Sequence, residues 1–316
     1  GVAASLGIGS LQINSGLNAV FGLPVGTGWQ LVIIAVTTAL FLVSAISGVE
    51  RGIKWLSSAN LILAAVLSLL VLAVGPTIGI IDTFTSTLGS YVSDFVRMSL
   101  RMTPFRDSTW VGSWTIFYWA WWVSWSPFVG LFIARVSRGR TIREFVLGTV
   151  IAPTLAGFLW FSVFGGTALH LEIFQGVPLA EAVQGDVSTA LFAMFEALPL
   201  GTLMSVAATV LVLVFFVTSG DSATLVLGMM SSEGRPDPSA RVKLIWGCLV
   251  AAIAASLLLT GGVQAVQTAT IVFALPFTLV IVLMALALWL GVRHDWREEQ
   301  RRERELRRRM RELAGR

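Results

Sequence analysis

Charged side chains are scarce in this chain. They make up 13% of its 316 residues, against 55% apolar, where soluble domains carry roughly 25% charged. That shortfall excludes an ordinary soluble domain and points to the membrane. Cysteine is nearly absent. Cys248 stands alone, so no intrachain disulfide can form, and its apolar neighbours make it a small buried residue. Only two histidines occur, His170 and His294, far apart and without HExxH or CxxC spacing, which argues against a metal site. The apolar segments lack any cluster of His, Asp and Glu, and any nucleophile set beside a base, so the chain is not expected to be an enzyme. No nucleic-acid partner is expected. The start, "GVAASLGIGSLQINSGL", also lacks the basic flank and small-residue cleavage site of a signal peptide. It reads as a fragment that begins inside a helix.

Long apolar runs are what the chain has instead. "WQLVIIAVTTALFLVSAISGV" (29–49) carries no charge and, at ~1.5 Å per residue, spans about the ~30 Å of a hydrocarbon core. Apolar windows place spans at 1–21, 28–49, 53–75, 110–134, 142–169, 201–230, 240–262 and 264–292. Two weaker stretches, 83–100 and 188–200, read as amphipathic interfacial helices outside the core. Basic turns alternate with neutral or acidic ones. Arg51 and Lys54, then Arg135, Arg138, Arg140 and Arg143, then Arg235, Arg241 and Lys243 mark one side, and the C-terminus falls on that side. The excess of basic residues makes it the cytoplasmic side. "TIRE" (141–144) has the form of a capping box that starts a helix just after the second basic turn.

Trp114, Tyr118, Trp121 and Trp125 follow spacings of four, three and four, which at about 100° per residue puts them on one narrow stripe. Trp122 lies beside it. An interfacial aromatic belt suits Trp114 and Tyr118 but not the midspan tryptophans, and close helix packing is the other structural reading. Three midspan tryptophans also suit a guest, because indole faces attract a cation that cannot hydrogen-bond, such as a quaternary ammonium group. Pro127 follows. It frees the carbonyl of Val123, which makes either a simple kink or a cavity-lining carbonyl of the kind transporters use.

"YWAWWVSWSPFVGLFIARVSRGRTIREF" resembles the signature segment of the betaine/carnitine/choline transporter (BCCT) family, and the likeness runs from "AASLGIGSLQINSGL" to "VTSGDSATLVLG". The resemblance implies an all-α integral membrane protein with an inverted-repeat (LeuT-like) fold. Residues 1–75 would be the last three helices of the first repeat, 76–109 an extracytoplasmic connection with an amphipathic helix, 110–292 the five helices of the second repeat, and 293–316 a basic cytoplasmic tail. It further implies a secondary transporter in the plasma membrane that imports quaternary-ammonium compatible solutes. Trp121, Trp122 and Trp125, with Tyr118, would form the aromatic site. Carnitine exchangers of the family tend to have tyrosine at the third position, so Trp125 leans towards betaine or choline. Relatives are often homotrimers. A sensor that binds such ligands without moving them, or a transporter of another inverted-repeat family, is the alternative.

"FFVTSGDSATLVLG" (215–228) breaks a strongly apolar span with hydroxyls and Asp221. Two readings fit the hydroxyls: they bond back to the preceding turn, or they hold a desolvated Na⁺. The resemblance implies a sodium site at Thr218 and Ser219, with Phe128 retained from a second site. The threonine position of that second site is Val2 here, which leaves one sodium ion or a proton as the coupling ion. An acid within a span is costly and usually functional or paired, and Asp221 reads as half of a gating or structural pair with Arg135. Residues 293–316 hold ten arginines against six acids, a surplus equal to the +4 of the whole chain. The i,i+4 pairs Glu298/Arg302, Glu303/Arg307 and Glu305/Arg309 favour a solvated helix. It would serve as a topology anchor or touch anionic membrane lipid.

Overall fold

The structure, a computed structural model, describes residues 1–47, 50–105, 109–235 and 237–314, without the side chains of 50–53, 135, 136, 308, 309 and 311–314. Among the described residues all regular structure is helical. Helices α1 (Val2–Phe21), α2 (Thr27–Ser47), α3 (Glu50–Val74) and α4 (Thr77–Ser99) come first. A π-helical turn, Val111–Ile116, leads into α5 (Phe117–Val136). Helix α6 (Ile142–Trp160) runs through a second π-turn, Phe161–Gly165, into α7 (Gly166–Gln175). Short α8 (Leu179–Gly185) and α9 (Ala190–Glu196) precede the long α10 (Gly201–Ser231) and α11 (Ala240–Ala314).

Among the described residues, six stretches are long and apolar enough to cross a membrane: 27–47, 54–74, 111–134, 142–175, 201–231 and 240–307. The last holds two of the expected spans. Helical geometry fails inside it at Gly261 and Gly262, where Gly262 has φ 57° and ψ −140°, a conformation open to glycine but not to residues with a Cβ. This break falls where the sequence places the turn between 240–262 and 264–292. The capping box is present too. The Thr141 hydroxyl accepts the Glu144 N–H at 3.2 Å, and Glu144 accepts the Thr141 N–H at 3.0 Å.

Helix α1 is not among the six. It is too polar and glycine-rich for a lipid-facing span, and it sits in the middle of the bundle against α2, α10 and α11. Its Ser10, Asn14 and Ser15 are buried. Its glycines let neighbours approach: Gly7 faces Val266, Gly9 faces Phe216, and Gly16 faces Thr209 and Phe192. Around it, Leu6, Leu11, Ile34, Val250, Ala254 and Val266 form one apolar core. A second core gathers Leu67, Val71, Phe164, Leu171, Phe195 and Met204 from α3, α7, α9, α10 and the π-turn.

Two sequence readings need correction. The 188–200 stretch is not an interfacial helix outside the core. Phe192, Met194, Phe195 and Leu198 are all buried in the second core, because the short helices fold back under α1 and α10 and spend their apolar face there. Cys248 is exposed, not buried. It lies off the face of α11 that carries buried Lys243, Gly247, Val250 and Ala254. In a span whose outer surface meets lipid, an apolar neighbourhood does not require burial.

Phe41 of α2 is only 1% exposed and is gripped by two glycines. A Cβ on Gly220 of α10 would stand 2.5 Å from its Cδ1 and 2.8 Å from its Cγ, and one on Gly247 of α11 would stand 3.1 Å from its Cε2. A buried ring cannot swing clear of such a contact. Gly220→Ala is therefore expected to destabilise the bundle by about 1–3 kcal/mol, the usual cost of overpacking. Gly89→Ala in α4, where an added Cβ meets nothing within 4 Å, should be neutral or slightly stabilising. Thermal unfolding in detergent checks both.

Candidate functional site: an aromatic cluster beside the central helix

The stripe foreseen in α5 forms two sets of ring contacts, one joining Trp114, Tyr118, Trp121 and Phe117, the other Trp125 and Phe128. Trp114, in the π-turn, stacks on Tyr118 with centroids 5.9 Å apart and planes 8° from parallel. Tyr118 meets Trp121 edge-on at 5.9 Å, and Phe117 stacks on Trp121 at 5.8 Å. Trp125 meets Phe128 edge-on at 5.1 Å. Such offset and edge geometries are the favoured ones for aromatic pairs. They hold each ring in a fixed plane.

The stripe faces α1. The indole N–H groups of Trp121 and Trp125 both donate to the Ser5 hydroxyl, at 3.0 and 3.1 Å. Two rings one helical turn apart are thereby tied to one oxygen on the central helix. Both rings are half-buried. Tyr118 is exposed at the edge of the cluster, and Trp122, at 68% exposure, points to the open side and does not join the Ser5 bonds. Helix α5 continues through Pro127. Next to it the Ser126 hydroxyl donates to the Trp122 carbonyl at 2.7 Å.

Phe128 is buried with Ala223 and Val226 of α10, and Val2, Trp125 and Val129 pack against this group. The aromatic cluster, the start of α1 and the polar stretch of α10 therefore meet. Within that stretch the Thr218 hydroxyl bonds back to the Val214 and Phe215 carbonyls at 3.0 and 3.1 Å. Ser222 bonds back to Thr218 at 3.0 Å, and Thr224 to Gly220 at 2.7 Å. Ser219 is half-buried beside Thr218. No group of three or more His, Cys, Asp and Glu that could hold a metal ion occurs among the described residues.

Asp221 is buried, and the positive charge that acts on it among the described residues belongs to Lys243. Lys243, also buried, donates to the Ala45 carbonyl in the last turn of α2 at 3.1 Å and to Asp237 at 2.9 Å. A cation at a helix C-terminus is favourably placed against the helix dipole. One ammonium thus links α2, α10 and the turn before α11. The side chain of Arg135, the partner expected for Asp221, lies outside the described residues.

Sequence reasoning missed two residues here. Ser5 carries no pattern, being one small polar residue in a run of small residues. Lys243 reads as one more topogenic charge in a basic turn, and its sequence neighbours say nothing of the acid it faces.

Apolar helices long enough to cross the bilayer several times, with their polar groups and an aromatic cluster turned into the bundle, define a multi-pass α-helical membrane protein. A family model described as BCCT, betaine/carnitine/choline family transporter, matches residues 1–297. The chain belongs to that family. It is 48% identical over 305 residues to the glycine betaine transporter OpuD of Bacillus subtilis (strain 168), covering 96% of this chain and 59% of that protein. It is also 48% identical over 284 residues to an ectoine/hydroxyectoine transporter of Virgibacillus pantothenticus, covering 90% of this chain and 57% of the relative. Identity to glycine betaine transporter 1 of Vibrio parahaemolyticus is 44% over 302 residues, covering 93% and 57%. The chain thus spans less than three-fifths of the length of these relatives.

If Lys243 neutralises Asp221 inside the bundle, removing it strands a buried carboxylate. Lys243→Met is expected to cost roughly 3 kcal/mol. Asp221→Asn in the same chain should return part of that loss, with a coupling on the order of 1 kcal/mol in a double-mutant cycle. Unfolding of the four proteins in one detergent measures it.

Proposed function

We propose that this chain forms part of a secondary active transporter that imports quaternary-ammonium compatible solutes of the glycine betaine or choline type across the plasma membrane. The observation that carries the reading is the pair Trp121 and Trp125, held side by side against the central helix, each with an aromatic neighbour. A trimethylammonium group has no N–H to donate, so it gains little from hydrogen-bond acceptors and much from indole faces. Each contact is worth about 0.5–2 kcal/mol depending on how fully water is excluded. Tyr118 and the outward-facing Trp122 are assigned to the rim of this site. The names of two relatives, both glycine betaine transporters, support the same substrate class.

A sodium ion is assigned as co-substrate at Thr218 and Ser219, whose hard hydroxyl oxygens suit it. Val2 stands against Phe128 without a hydroxyl, which supports a single sodium ion over two. Pro127 marks where α5 can bend, and Asp221 with Lys243, and with Arg135 as the partner expected from the sequence, is assigned to holding the inner end of the bundle closed. The alternating basic turns support a cytoplasmic C-terminal limb of α11.

Uptake of labelled glycine betaine by the intact protein in proteoliposomes tests this, with and without a sodium gradient. Trp125→Leu should lower apparent affinity about tenfold or more, the loss of one good cation–π contact. Thr218→Ala with Ser219→Ala should abolish the sodium dependence while leaving binding of the solute measurable. Binding without counterflow of labelled solute would make the protein a sensor. Unaltered affinity in Trp125→Leu would return the tryptophans to a packing role.

A further inference from the structure

We infer that Ser5 is a positioning residue for the aromatic site, setting the planes of Trp121 and Trp125 without touching the substrate itself. The inference rests on the proposal that those two rings hold the solute. A serine hydroxyl has one proton to give and two lone pairs to fill. Here the proton goes to the Gly1 carbonyl at 3.3 Å, and the lone pairs receive the Trp121 and Trp125 N–H groups at 3.0 and 3.1 Å. Its capacity is used up, which leaves Ser5 nothing with which to bind a solute carboxylate or a sodium ion. Its whole effect passes through the indoles.

That effect is geometric. An indole N–H is a donor only, and one left unsatisfied in a water-poor bundle is costly, so each ring turns until its N–H edge meets the one oxygen available. Each ring is also held by an aromatic neighbour, Phe117 stacked on Trp121 and Phe128 edge-on to Trp125. The attachment at Cβ, the N–H bond and that contact together fix the plane. Cation–π attraction acts over the ring face and not its edge, so the angle of the two planes decides how much of each face a trimethylammonium group meets. The oxygen also belongs to α1, which packs against α2, α10 and α11. The site is therefore referenced to the centre of the bundle, and not only to its own helix.

The test uses the intact protein with Ser5→Ala, Ser5→Cys and Ser5→Thr, beside Trp125→Leu. The indole N–H resonances of Trp121 and Trp125 are assigned by single substitution in ¹⁵N spectra, and uptake of labelled glycine betaine gives KM and maximal rate. Ser5→Ala is expected to shift both indole resonances towards the weaker hydrogen bond together. It should raise KM about tenfold, and change the maximal rate less than twofold. Ser5→Thr, which keeps the hydroxyl, should restore both, and Ser5→Cys, a weak acceptor of similar size, should fall between. The cysteine variant carries the test if the alanine variant does not fold. Indole resonances that stay put in Ser5→Ala, or that move while KM does not although Trp125→Leu loses affinity, overturn the positioning role and leave the aromatic site standing. A Trp125→Leu protein with unaltered KM overturns the aromatic site itself.

Discussion

Inside a bilayer there is no water to satisfy a polar group, so each one has to find its partner within the protein. That constraint organises this structure more than any single apolar contact. Threonines and serines along the spans turn their hydroxyls back on the preceding turn, as Thr37, Thr154, Thr167 and Thr270 do. Asn14, buried in α1, satisfies both ends of its amide on the turn that follows, donating to the Pro24 carbonyl at 3.2 Å and accepting the Gly26 N–H at 3.0 Å. Lys243 spends its charge on the end of α2 and on Asp237. Helix α1, which carries the buried Ser10, Asn14 and Ser15, is enclosed by α2, α10 and α11.

The same constraint shapes the aromatic site. Tryptophan brings a large apolar face into the bundle together with one donor that must be answered, and Ser5 answers two of them at once. Faces are then left for a guest that has no hydrogen bonds to offer. A quaternary ammonium ion is such a guest, and a site of this kind selects it by what it lacks. Carboxylates would bind it too, but would also attract ordinary ammonium and metal ions. The hydroxyl-rich stretch of α10 lies next to this cluster through Phe128, Ala223 and Val226, which brings the proposed solute and sodium sites into one packed region.

Much of this was legible in the chain. Uninterrupted apolar runs placed the helices, the Thr141–Glu144 box marked one start, and the boundary between the runs 240–262 and 264–292 falls at the break the structure has at Gly261 and Gly262. The stripe from Trp114 to Trp125 survived because its spacing follows the α-helical period. What could not be read depends on partners distant in sequence. Nothing near Ser5 announces two indoles more than a hundred positions away, and nothing near Lys243 announces the Ala45 carbonyl. The burial of Phe192 and Phe195 was hidden for a different reason. A short amphipathic segment looks the same whether its apolar side meets lipid or the core of its own protein.

The central claim is that attraction between a fixed positive charge and the tryptophan faces selects the solute. Calorimetric binding to the intact protein tests it most directly, comparing glycine betaine with 3,3-dimethylbutanoate, which has the same shape but a carbon in place of the quaternary nitrogen. With a cation–π share of about 0.5–2 kcal/mol for each of two rings and about 1.4 kcal/mol per tenfold in affinity, glycine betaine should bind more tightly by about fivefold or more. Equal affinity for the two would mean that the rings recognise shape alone, and would contradict the account.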